Sequence, residues 1–233
     1  MPLTPAQFES RADRLRDQLA EQGVRVRDMI DAAFTAVFDG DHAAARNVVD
    51  ADDQVDRMDV QIEQDSVALL IESAHEAVTL DDRQIRAVLT VVKVNNEIER
   101  LADAAVAIAE GVLAHAAAPD DEALPPTFRV MANSIVGITR DAVDAYANPH
   151  PKLARTVLAS AATVEAFRQG ILRQSEAQLA AGNLSIERAF TLHAISGQCE
   201  RMADYCTNIA EQVIYVATGT IVRHTDSGWI DVD

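Results

Sequence analysis

The residues of this chain with the most chemistry to offer are carboxylates at helical spacing. Glu99 and Asp103 stand four apart in Glu99-Arg100-Leu101-Ala102-Asp103, and the pattern returns 101 residues later as Glu200-Arg201-Met202-Ala203-Asp204. On a helix each pair shares one face, one turn apart, and two like charges so placed repel unless a cation answers them. A further set, Asp52, Asp56, Asp59 and Glu63, falls within about 60° of arc at about 100° per residue. Oxygen donors in this density suit a hard cation or iron. A metal site is therefore expected on Glu99, Asp103, Glu200 and Asp204, supplemented by Asp52, Asp56, Asp59, Glu63 and His193. The donor set fits a divalent or ferric ion without separating Fe, Mn, Mg and Zn. The competing reading is a solvated acidic face partly paired with Arg100 and Arg201.

Other chemistries lack their residues. The sequence holds no Gly-rich phosphate loop, no G-x-S-x-G elbow and no C-x-x-C pair. A di-iron carboxylate bundle needs Glu-x-x-His on two helices, and only Glu72-Ser73-Ala74-His75 has that form. No catalytic residue and no organic cofactor are assigned, and the chain is not expected to be an enzyme. Cys199 and Cys206 lie seven apart on one helix, about 10 Å along its axis, too far to bridge.

The elements that must hold these carboxylates follow from periodicity and stop signals. Thr4-Pro5-Ala6-Gln7 reads as a capped helix start, and Asp39-Gly40 as its end. Asp41 caps a second helix to about His75, and a third carries Glu99 and Asp103. A matching trio follows: Thr127 to Ala147, a helix from His150-Pro151 to Gly182, and one capped by Ser185 that runs to Thr218-Gly219. An offset of 109 aligns Val55, Met58 and Ile62 with Val164, Phe167 and Ile171, and the third helices align at 101. A motif repeated at half the chain length marks a duplicated domain. The expected fold is all-α: two tandem, pseudo-symmetric three-helix bundles, at 1–118 and 127–219, with a linker at 119–126 and a tail at 220–233.

Composition narrows the partners. Aromatic residues make up 4% of the chain and hydrophobic residues 48%, so the core is built from Ala, Val, Leu and Ile, which suits close-packed helices. The formal net charge of −17 opposes a grip on nucleic acid or anionic lipid and favours basic proteins or cations. No window reaches the roughly 18 to 20 apolar residues of a membrane span, and no signal pattern opens the chain, so a cytoplasmic location is expected.

The second repeat also resembles a family. Cys199-Glu200-Arg201-Met202-Ala203-Asp204-Tyr205-Cys206-Thr207-Asn208-Ile209-Ala210-Glu211, followed by Val213-Ile214-Tyr215-Val216-Ala217-Thr218-Gly219, resembles the C-terminal signature of PhoU proteins, and Ile98 to Asp103 resembles its N-terminal counterpart. The resemblance implies a cytoplasmic regulator of phosphate uptake. It would act with the phosphate ABC transporter ATPase and a sensor histidine kinase to repress the phosphate-starvation response. The expectation includes a homodimer, and metal held by Glu99, Asp103, Glu200 and Asp204. This sequence departs from the pattern in its second half, where the acidic stripe is replaced by Ala161, Glu165, Arg168 and Leu172. The rival readings are an iron-carboxylate enzyme or store, and a purely structural helical scaffold.

Overall fold

The computed structural model describes residues 3–114 and 124–222. These form six helices: α1 (Pro5–Asp39), α2 (His42–His75), α3 (Asp82–Ala114), α4 (Pro126–Ala147), α5 (Pro151–Ala180) and α6 (Ile186–Thr218). The helix ends obey local chemistry. Thr4 and Gln7 form a capping box at α1, Asp41 accepts from Ala43 and Ala44 at α2, and Ser185 accepts from Arg188 at α6. Gly40 closes α1 with φ 63°, a left-handed conformation that costs glycine nothing and other residues about 1 kcal/mol or more. The fifth helix has a cap of another kind: His150 Nδ1 accepts from the Leu153 N–H at 3.0 Å. The expected linker lies mostly outside the described residues, although its last residue, Pro126, is the first of α4, and the expected tail lies outside them beyond Val222.

Each half packs its three helices on one another, and the halves join through α1 against α4 and α3 against α6. The result is two layers: α2, α3, α6 and α5 side by side, backed by α1 and α4. Several contacts fix α3 and α6 as antiparallel. Asn208 donates to Glu97 at 3.1 Å, Lys93 lies 5.6 Å from the Tyr215 ring centre, and Arg86 rests against Gly219. In that register Asp103 and Asp204 stand at the same level, midway along the paired helices and exposed on their outer face.

The core stripes fall where helical periodicity puts them. Val48, Val55, Ile62 and Leu69 of α2, Ile98, Leu101, Ala105 and Ile108 of α3, and Cys199, Met202, Cys206, Ile209 and Val213 of α6 are all buried. Each fully buried Leu or Ile contributes about 1.5–3 kcal/mol. The two cysteine thiols are pushed up to about 12 by burial, which keeps them protonated and inert. Small residues let α1 and α4 approach closely. A methyl group on Gly23 would lie 2.8 Å from Val143 Cγ2 and 3.1 Å from Ile98 Cδ1. Among the described residues, no helix is long and apolar enough to cross a membrane.

Candidate functional site

The register of α2 on α3 is set by an amide inside the helix pair. Asn95 is buried, and its side chain donates to the Asp59 carbonyl at 2.9 Å and to the Asp59 carboxylate at 2.6 Å. With Asp59 fixed opposite Asn95, antiparallel helices bring Asp56 and Asp52 alongside Glu99 and Asp103. The acidic stripe of α2 and the acidic pair of α3 therefore form one band at the rim of the first bundle. Asp52, Asp59 and Glu99 are half-buried in it, while Asp56, Glu63 and Asp103 are exposed.

Electrostatics confirm that these groups feel one another. Burial raises the pKa of Asp52, and then Asp56 and Asp103 add their repulsion. Burial likewise leads for Asp59, followed by Glu63 and Asp56, against the opposing Asn95 hydrogen bond. Glu99 is raised by burial, then by Asp103, Asp59 and Asp56, and Asp103 by burial and Asp56. The neighbouring Arg100 does little to offset this. It pairs with Glu97 at 3.6 Å and sits over the Tyr205 ring at 5.8 Å, turned toward α6.

The second half answers the same problem differently. Arg168 lies at the place of Asp59 under the 109-residue offset. Its Nε is 3.2 Å from Glu200 and its Nη1 is 3.6 Å from Glu165, so a guanidinium holds the two carboxylates of α5 and α6 together. Glu165 is lowered, first by the Gln169 amide that donates to it at 2.6 Å and then by its contact with Glu200. Glu200 is raised, first by burial and then by that same contact, against the lowering pull of Arg168. Asp204 is raised by burial and by Glu165.

His193 is exposed, and its backbone carbonyl accepts from Ser196 Oγ at 3.0 Å. Glu72 is engaged by Arg11 of α1 at 2.5 Å. Among the described residues, no three His, Cys, Asp or Glu side chains converge closely enough to form a ready-made metal site. The first-half band nonetheless fits a cation by its chemistry: every donor is an oxygen, the charges repel, and no cationic side chain neutralises Asp52, Asp56 or Asp103 in an ion pair among the described residues. The second-half cluster fits one poorly, because Arg168 already stands between its acids. The roles of Asn95, Glu97 and Asn208 escaped the sequence reading, since nothing local marks them; the offset to Asp59 places Arg168 on the replaced stripe, but does not give its contacts with Glu165 and Glu200.

The chain belongs to the PhoU family, with the PhoU domain matched at residues 19–112 and again at 128–213. It is 27% identical over 218 residues to a phosphate-specific transport system accessory protein PhoU homolog of Pseudomonas putida, covering 94% of this chain and 83% of that one. The phosphate-specific transport system accessory protein PhoU of Escherichia coli K12 is 25% identical over 225 residues, covering 97% and 91%. The crystal structure of PhoU from Pseudomonas aeruginosa superposes with a TM-score of 0.82 at 25% identity, covering 92% and 100%. The phosphate transport system regulatory protein PhoU from Streptococcus pneumoniae superposes at 0.83 with 20% identity, covering 93% and 99%, a likeness of fold. The family is one of accessory and regulatory proteins of phosphate transport rather than of enzymes, and the all-α duplicated fold agrees with it.

Proposed function

We propose that this protein is a cytoplasmic negative regulator of the phosphate-starvation response, acting through the ATPase of a phosphate ABC transporter and a sensor histidine kinase. The observation that carries the reading is the PhoU domain match to both halves, at 19–112 and 128–213, which takes in part or all of each of the six helices. An accessory protein of this kind acts by docking, and the charge of −17 favours basic partner surfaces. A homodimer belongs to the reading, with its joint away from the acidic layer, because two such layers repel.

Metal enters as a modulator of the first half. Asp52, Asp56, Asp59, Glu99 and Asp103 would hold it, and a bound divalent or ferric ion supplies the positive charge that the band lacks. Asn95 keeps Asp59 in place on α2, and Arg100 of α3 is turned away to Glu97 and the Tyr205 ring, leaving the band open. Glu200 and Asp204 of the second half, together with His193, are the weaker ligands, since Arg168 supplies their charge. The metal reading predicts bound cation without turnover, which separates it from an iron enzyme. The function is tested by deleting the gene and following a phosphate-starvation reporter in phosphate-replete medium. Derepression that the wild-type gene reverses is the expected result, and unchanged repression contradicts the proposal.

A further inference from the structure

The duplication has kept a feature that the core does not use. Ile85 and Leu89, one turn apart on α3, are 48% and 43% exposed. At the 101-residue offset stand Ile186 and Phe190 of α6, 61% and 69% exposed. At the 109-residue offset Leu70 of α2 matches Leu179 of α5, and both are exposed. The Asn95–Asp59 register places Leu70 beside the first turns of α3, and the Arg168–Glu200 pair places Leu179 beside those of α6. Each half therefore presents an equivalent apolar cluster at its α2–α3 or α5–α6 hairpin end. Apolar side chains left largely in water at matched places in both copies bury little of their surface in the core, and such clusters mark interaction surfaces.

The clusters are related by the same pseudo-two-fold axis as the acidic motifs. Because α3 and α6 are antiparallel, Leu89 and Phe190 lie at opposite ends of the layer, about 40 Å apart at 1.5 Å per residue. Midway between them stand Asp103 and Asp204, with the acids of α2 and α5 to either side. The pattern is apolar, acidic, apolar, symmetric about its centre.

We propose that this layer docks a two-fold symmetric protein whose subunits each seat an apolar side chain on one cluster and turn basic residues toward the acidic centre. A second copy of this chain is a poor occupant, since it would bring acid against acid. The inference rests on the proposed function, which supplies the transporter ATPase as the partner to try. The test measures binding of the purified ATPase dimer to the full chain by biolayer interferometry, with light scattering for stoichiometry. Leu89→Asp and Phe190→Asp change exposed positions, and Val130→Asp, 49% exposed on α4 in the opposite layer, is the control. The expected result is one chain per ATPase dimer, with Leu89→Asp and Phe190→Asp each weakening binding about tenfold or more, as loss of an anchor does. The double variant should not bind, and Val130→Asp should bind as wild type. Undiminished binding by the double variant, with circular dichroism confirming its helices, overturns the surface and leaves the regulatory reading standing. Self-association that the double variant abolishes assigns the surface to a second copy and overturns the proposal, and no binding by wild type overturns both readings.

Discussion

The Arg168 guanidinium stands 3.2 Å from Glu200 and 3.6 Å from Glu165, occupying in the second half the position that Asp59 holds in the first. One half of a duplicated protein thus carries its own cation, and the other presents carboxylates alone. Replacing Arg168 with alanine should lower the melting temperature in chelator slightly, because it releases two neighbouring carboxylates from a cation, and exposed ion pairs contribute little each. Replacing it with aspartate should add a divalent-dependent gain in melting temperature beyond that of wild type. An unchanged response to manganese in Arg168→Asp contradicts this account of the second half.

The first-half band makes the opposite prediction for charge removal. In chelator, Asp103→Asn relieves repulsion and should be neutral or stabilising by a few tenths of a kcal/mol. With iron or manganese present it should melt below wild type, because a ligand that binds only the folded state stabilises it by an amount that grows with the logarithm of its concentration over its dissociation constant. Asp204→Asn should show a smaller metal-dependent loss. Scanning calorimetry with and without the cation checks all three, and equal gains for Asp103→Asn and wild type contradict the site.

The raised carboxylates also fix a pH dependence. Asp52, Asp59, Glu99 and Asp103 titrate above their ordinary range in the folded state, so the folded chain holds more protons than the unfolded one just above that range. Stability should therefore fall as pH rises through their folded pKa values and recover on acidification toward the ordinary carboxylate range. Added salt should flatten the slope by screening repulsion among the exposed acids. Urea melts of Asp52→Asn with Asp103→Asn in chelator should show a shallower dependence than wild type over the same window.

Packing between the halves is tested at Gly23. Alanine favours a helix over glycine by about 1 kcal/mol, yet here its methyl group would lie 2.8 Å from Val143 Cγ2. Overpacking of this kind costs about 1–3 kcal/mol, so Gly23→Ala should be destabilised despite its better propensity. Gly23→Ala with Val143→Ala should recover part of the loss, measured by urea unfolding.

Helix limits were legible because they are local: Thr4 with Gln7, Gly40 and Ser185 each act within a few residues of themselves. The acidic band was legible in part, since angular position alone groups Asp52, Asp56, Asp59 and Glu63. What joins that stripe to Glu99 and Asp103 is the Asn95 amide, a contact between residues 36 apart that no periodicity reports. The pairing of Glu97 with Asn208 across the halves is equally remote in sequence. Ile85, Leu89, Ile186 and Phe190 read as ordinary apolar residues until the packing shows them left outside the core.

The proposed regulation holds phosphate uptake back when phosphate is plentiful. Its most direct test is the rate of radiolabelled phosphate uptake in phosphate-replete cells with and without the gene. Uptake that persists in the deleted strain and falls when the wild-type chain is restored is the predicted result. Equal uptake in the two strains under those conditions contradicts the account.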